Sequence, residues 1–275
     1  TSLGVEVELL GPSEIKAMIP DLNLEGIVGA SYGRRDGFLD PYSVVQAFAH
    51  KARSLGAEYI EDEVTAILSN RGSVEGVRTR SGTTILARRV VNAAGPWAGL
   101  VAQMAGVTLP VRPVRRQVYV VRPPRSLDYR LPFVIDISGL YFKPETGGGL
   151  ITGISKKEDP SIFDFTWDRD SFTEVVWPLL AQRMPLLEQL RLERGWAGLY
   201  EVNPLDHNAI IGEHPELKGF YLINGFSGHG FMQAPAAGKA LAELIRTGTY
   251  ETLDVSALSF ERFATGRLVV EEAVI

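Results

Sequence analysis

The chain has 275 residues, 45% of them hydrophobic, and a net charge of −5, enough for a large core in one or two domains. Basic residues form no run, which argues against a nucleic-acid partner, and no stretch reaches about 18 consecutive apolar residues, so no transmembrane segment is expected. There is no cysteine, which excludes disulfides, thiolate metal sites, Cys nucleophiles and cysteinyl attachment of a cofactor.

The opening "TSLGVEVELLGPSEIKAMIP" has no initiator Met and no charged-then-apolar leader pattern. Within it, "SEIKAM" predicts a short helix capped by Ser13 and stopped by Pro20. "LDPYSVVQAFAHKARSLGAEYI" predicts a second helix, with Asp40 as its cap and Pro41 in its first turn. Its apolar stripe is Val44, Val45, Phe48, Ala49, Ala52 and Leu55; Gly56 ends it, and "AEYI" reads as a strand. Strands are then expected at "EVTAIL", "VEGVRT", "TTILAR" and "RVVNAAG", the middle pair forming a hairpin across "RSG". "RVVNAAGPWAGLVAQMAG" is strand, tight turn and helix.

From about residue 110 to 195 the pattern changes. "RQVYVV", "PFVIDI", "GLYFKP" and "GLITGI" predict an antiparallel layer, covered by one long helix from Asp170 to Met184. Beyond Gly195, strand–turn–helix units return, the clearest being "GFYLINGFSGHGFMQAPAAGKALAELI". Its helix, Gln233 to Thr247, places Ala234, Ala237, Leu241, Leu244 and Ile245 on one face. The fold class is therefore α/β with an α+β insert.

A glycine-rich turn between a strand and a helix N-terminus can receive an anion or a dipole, because the first helical amides lack partners; it can equally be a plain tight turn. "GFSGH" approaches the nucleophile elbow G-x-S-x-G, but His229 replaces the last glycine and no later histidine follows. The histidines, His50, His207, His214 and His229, have no metal-ligand spacing. His50 reads as a surface or half-buried residue and His214 as part of an ordinary loop, while Asp206 with His207 could be an acid/base pair or a structural turn.

The ordered set "DGFLDP", "VVNAAGPWAG", "PVRRQVYVV", "GLYFKPETGGGLITG", "GWAGLYEVNPLDHNAIIG" and "NGFSGHGFMQAPAAGKALAELI" resembles the D-amino-acid oxidase/sarcosine oxidase-like FAD-dependent oxidoreductases. The tail "GTYETLDVSALSFERFATGRLVVEEAVI" is most similar to the branch containing a mitochondrial FAD-dependent oxidoreductase-domain protein linked to respiratory complex I assembly. The resemblance implies a Rossmann-like, glutathione-reductase-type FAD framework at 40–108 and 196–275. It implies an antiparallel substrate domain at 1–39 and 109–195. The G-x-G-x-x-G unit that opens this family is absent from the sequence, so the chain is expected to be a fragment lacking its first βαβ unit, binding little FAD alone.

The resemblance also assigns roles. Val64 would present backbone to adenine; Ala93, Ala94, Gly95 and Trp97 would turn beside the ADP portion. Gly228, His229, Gly230, Phe231 and Met232 would lie along the flavin ring. Three positions depart from the sarcosine oxidases: Met232 stands for a substrate-binding lysine, the cysteine that attaches the flavin aligns near Gly198, and a lysine tied to oxygen activation aligns near Ile151. FAD is thus expected to bind non-covalently, with Gly198 beside it.

The implied chemistry is removal of hydride from an amine-bearing carbon of a secondary amine or amino acid, with oxygen, a quinone or an electron-transfer protein as acceptor. A carboxylate-bearing substrate needs a cation. Arg115 and Arg116 are candidates, of which at most one can face the site along a strand; Arg116 is favoured, against a plain surface charge. Tyr141 and Tyr200 would form an aromatic wall and His229 would complete the catalytic set, while Trp97 and Trp196 are expected in the core. The resemblance places a bacterial form in the cytoplasm and a eukaryotic one in the mitochondrial matrix or at the inner-membrane face. The alternatives are a non-catalytic FAD-binding assembly or scaffold factor for a respiratory complex, and an inert fragment with an unpaired sheet edge.

Overall fold

The computed structural model describes residues 4–155 and 159–271. In chain order it contains β1 (Glu8–Leu10), α1 (Pro12–Met18), β2 (Ala30–Tyr32), α2 (Pro41–Ser54), β3 (Val64–Asn70), β4 (Ser73–Thr79), β5 (Thr84–Leu86), β6 (Val90–Asn92) and α3 (Ala98–Met104). Then follow β7 (Arg112–Arg122), β8 (Val134–Ile135), β9 (Leu140–Pro144), β10 (Leu150–Ile154), α4 (Arg169–Ser171) and α5 (Trp177–Arg183). The last elements are β11 (Arg191–Val202), β12 (Ile210–Glu213), β13 (Phe220–Asn224), α6 (Gly230–Thr247) and α7 (Glu261–Thr265). Two compact units result: Thr1–Asp40, Arg116–Asp159 and Asp164–Gly198 in one, Pro41–Arg115, Pro160–Phe163 and Leu199–Ile275 in the other.

The first unit is built on a five-stranded sheet in the order β11-β7-β10-β9-β8. Side chains alternate across a strand, and one face carries Tyr119, Val121, Leu140, Phe142 and Leu150 into a core shared with Phe172, Val176, Leu180, Met184 and Leu187. These last residues come from the π-helical turn Phe172–Val176, α5, the 3-10 turn Pro185–Gln189 and, for Met184, the cap between those two. The single helix expected from Asp170 to Met184 is thus two short α segments around a π turn, followed by a tighter one. A cavity of about 290 Å³, lined by residues including Leu127, Tyr129, Leu131 and Leu150, lies in this unit and includes none of the predicted site residues.

The second unit holds two three-stranded sheets, β3-β4-β5 and β12-β13-β6. The hairpin across "RSG" forms as β4 and β5. β13 pairs antiparallel with β12 and parallel with β6. Ile210, Phe220 and Leu222 pack against Ala98, Ala102 and Val111 on one side of the sheet. Ile211 and Tyr221 pack against Ala237, Ala240 and Leu241 of α6 on the other. Among the described residues no helix is long and apolar enough to cross a membrane.

Several local expectations are corrected. The amino end of α1 follows Gly11, whose N–H donates to Glu14 Oε2 at 2.7 Å, so a carboxylate reaching back replaces the Ser13 cap. "AEYI" is not a strand, because no neighbouring strand pairs with it among the described residues. In α2 only Ala49 is buried, and Val45 and Phe48 are exposed, as is Leu55 just beyond its end; the helix is apolar over a wider arc than its own unit covers. α6 starts at Gly230, about a turn earlier than expected, with Pro235 inside it, and Ala234 is exposed. Trp97 and Trp196 are not core residues: they are 44% and 40% exposed, Trp97 stacked on Phe163 at 5.6 Å and Trp196 beside the Arg194 guanidinium.

Candidate cofactor site at two strand ends

β6 and β13 run parallel, Val90 beside Phe220 and Asn92 beside Leu222. Each ends in a short turn and a helix: Ala93–Trp97 leads into α3, and Gly225–His229 leads into α6. The crevice outside the carboxyl ends of such strands is where open α/β sheets take ligands.

Two buried asparagines join the turns. Asn224 Nδ2 donates to Asn92 O at 2.8 Å. Asn92 Nδ2 donates to Ala98 O at 2.9 Å, and its Oδ1 accepts the Ala94 N–H at 3.2 Å. Asn224 Oδ1 is buried with no hydrogen-bond partner among the described residues. A buried acceptor left open costs stability unless something completes it.

The second turn is held in a backbone conformation that few residues adopt. Gly225, Ser227 and Gly228 have φ of 76°, 51° and 107°, and a Cβ on Gly225 would lie 3.2 Å from both Asn203 and Val111 side-chain atoms. Ser227 is fully buried, and three bonds fix it there: its Oγ donates to Gly225 O at 3.1 Å and accepts the Asn203 N–H at 3.1 Å, and its own N–H donates to Glu201 O at 3.1 Å. With Oγ turned inward and both bonds made, Ser227 is a brace for the turn and not a nucleophile. Gly230, Phe231 and Met232 then open an 18-residue helix whose N-cap, His229, makes no side-chain cap bond. Amides at such an end favour negative charge.

Glu201, from the end of β11, was not singled out from sequence, although it is the only charged residue between Arg194 and Asp206. Its Oε2 accepts the Gly225 N–H at 3.1 Å. Burial pushes its carboxyl above the usual carboxylate range, against the pull of the Gly225 and Phe226 amides.

The remaining predicted residues fall in both units. Val64 opens β3, opposite Thr79. Tyr200 is half-buried on β11, next to Glu201. On the sheet of the first unit, Arg116 is ion-paired with Asp159, both side chains largely buried. Tyr141 lies over Gly153, where a Cβ would stand 2.5 Å from its hydroxyl oxygen, and meets Phe133 edge-on. A Cβ on Gly198 would meet nothing within 4 Å. Lys143, also missed in the sequence, stands directly across from Ile151 on the neighbouring strand. Its ammonium is 4.8 Å from the Phe38 ring centroid and 3.9 Å from Glu145. The structure thus brings Ala93–Trp97 and Gly228–Met232 onto one pair of strand ends, and Arg116, Tyr141 and Gly198 onto one sheet.

Asp206 and His207 form no acid/base pair. Asp206 is buried and gripped by Arg262 at 2.6 and 3.0 Å, while His207 occupies a positive-φ turn position. Burial pushes the Asp206 carboxyl up, but the Arg262 bonds and charge, with the Asn208 and Val269 amides, outweigh it and hold it below its ordinary value. Among the described residues no group of three or more His, Asp or Glu could hold a metal ion.

Comparison with known proteins agrees with this architecture. Residues 1–244 match the DAO family, described as FAD dependent oxidoreductase. The FAD-dependent oxidoreductase domain-containing protein 1 of Xenopus laevis is 36% identical over 305 residues, covering 99% of this chain and 61% of the relative. Mitochondrial sarcosine dehydrogenase of Homo sapiens is 32% identical, covering 94% of this chain and 29% of the relative. The crystal structure of L-proline dehydrogenase from P. horikoshii superposes with a TM-score of 0.90 at 36% identity, covering 98% of this chain and 71% of that one. The chain spans about three fifths of the length of the first of these relatives. Its mixed α/β fold with antiparallel sheets is that of the L-proline dehydrogenase and glycine oxidase structures it resembles, and the chain belongs to the FAD-dependent oxidoreductase family.

Proposed function

We propose that the whole protein is an FAD-dependent dehydrogenase or oxidase acting on the carbon–nitrogen bond of a secondary amine or amino acid. The observation that carries this reading is the pair of helix-leading turns joined by Asn92 and Asn224, in a chain of this family. Two relatives named for sarcosine and L-proline, both secondary amino acids, favour that substrate class. When bound, FAD supplies the hydride acceptor and passes two electrons to oxygen, a quinone or an electron-transfer protein.

The residues fit such a group. The orphaned Asn224 Oδ1 offers an acceptor, Gly228 and Gly230 at the end of the turn are only partly buried, and the open helix end suits the electron-rich edge of a reduced ring. On this reading Ala93, Ala94, Gly95 and Trp97 hold the ADP portion, with Val64 at the adenine, and Gly228 to Met232 hold the ring. Binding is non-covalent beside Gly198, where no thiol exists. The unit of β6 and β13 serves the cofactor and the five-stranded sheet serves the substrate. Arg116, once it exchanges Asp159 for a ligand carboxylate, positions the substrate, and the Tyr141 and Tyr200 hydroxyls orient it. His229 stands at the head of α6, beside the ring. A eukaryotic form would work in mitochondria and a bacterial one in the cytoplasm.

The test is a visible spectrum of two proteins mixed with FAD, the 275-residue chain and a form extended to the relatives' length. Both are titrated without oxygen with sarcosine, proline and D-amino acids. Bleaching of bound flavin by a secondary amino acid supports the reading. Bound flavin that no amine reduces favours an assembly or scaffold role, and no flavin in either protein ends the cofactor assignment.

A further inference from the structure

Glu201 does more in this structure than its place in a strand requires. Its side chain accepts the Gly225 N–H at 3.1 Å, its carbonyl accepts the Ser227 N–H at 3.1 Å, and its neighbour Val202 bridges to Phe226. A Cβ on Gly230 would lie 3.8 Å from Glu201 Oε1, which places the second carboxylate oxygen at the first residue of α6. Glu201 forms no ion pair among the described residues, so amides alone offset the cost of burying it. A neutral glutamine could accept the same N–H at less desolvation cost. What the carboxylate adds is charge. A full negative charge exceeds the roughly +0.5 of a helix N-terminus, and in a partly buried site such a charge is weakly screened.

We infer that Glu201 is a positioning residue for the Gly225–His229 turn, and that its charge opposes electron uptake by the group seated there. The charge half rests on the proposed flavin site; the positioning half does not. Ionised Glu201 sets the ease with which the cofactor is reduced below what the helix end alone would give.

Two variants of the full-length protein separate the halves. E201Q keeps an acceptor for Gly225 and removes the charge; E201L removes both. Amide hydrogen exchange is read without cofactor, and the midpoint potential is read with FAD bound. E201Q should keep wild-type exchange at Gly225 to His229, while E201L speeds it about tenfold or more there and leaves β9 and β10 unchanged. E201Q should favour the reduced flavin by about tenfold, or about 30 mV for a two-electron couple. Unchanged exchange in E201L overturns the positioning role. An unchanged potential in E201Q overturns the charge role. Wild-type protein that takes up no FAD overturns the charge role together with the flavin assignment, and the exchange result still decides positioning.

Discussion

Asn224 reaches from the last position of β13 to the main-chain oxygen of Asn92, the last position of β6, at 2.8 Å. Asn224→Leu leaves that oxygen without its side-chain donor, and should cost about 1–3 kcal/mol. Asn92→Ala keeps that main-chain oxygen but removes two side-chain bonds, to Ala98 O and to the Ala94 N–H, and should cost at least as much. Urea unfolding should show a lower midpoint at unchanged slope, the sign of a pure stability change.

Arg262 and Asp206 form a buried pair whose side chains are 2% and 0% exposed. The same carboxylate accepts from Asn203 Nδ2 and from the Asn208 and Val269 amides, so it ties the segment after α7 to the turn before β12. Arg262→Met strands a buried charge and should destabilise by about 3–5 kcal/mol. Asp206→Leu with Arg262→Met should cost less than the two single changes summed, measured as a double-mutant cycle in urea.

His214 is buried against Phe260, 4.5 Å between ring centroids. Its Nδ1 accepts the Glu216 N–H at 3.2 Å, which requires that nitrogen to be unprotonated. Burial lowers its pKa below the ordinary histidine value, against weaker pulls from the Thr108 carbonyl and Glu216. The unfolded chain therefore binds the proton first. Stability should be intact above about pH 6.5 and fall as pH drops below it, with a slope of up to about 1.4 kcal/mol per pH unit from this one group. His214→Gln should flatten that limb in chemical denaturation between pH 7 and 5.

Gly153 is the place where the Tyr141 ring meets the sheet. A methyl there would stand 2.5 Å from the Tyr141 hydroxyl oxygen and 2.8 Å from Gln117 O. Gly153→Ala should cost about 1–3 kcal/mol through overpacking. Adding Tyr141→Phe should recover only part of the loss in melting temperature, because the main-chain clash with Gln117 remains.

Periodicity made most of the framework legible. β4 with β5, β9, β10 and β13 follow from alternation and turn residues, since both act within a few residues of one another. β1 and β2 escaped notice because three residues show no period unless a turn signal marks them, as "RSG" does for β5, and "AEYI" misled because a strand exists only where a partner lies beside it. For the site, the glycine turn could be read because positive φ selects glycine. Ser227 hid a positive φ behind a hydroxyl. Asn92, Asn224 and Glu201 were invisible as a set: their bonds join positions about 24 to 132 residues apart, and no local pattern encodes such a pairing.

α2 bears on the chain's behaviour in bulk. It turns Val45 and Phe48 to solvent, and β6 pairs on one side only among the described residues, with Val91 exposed beside its free edge. Greasy helix surface and unsatisfied strand amides are the two commonest seeds of self-association. Colloidal behaviour should therefore be concentration-limited, with light scattering rising at protein levels where the rest of this acidic surface would keep molecules apart. Charged replacements at Phe48 and Val91 should raise that limit without moving the unfolding midpoint.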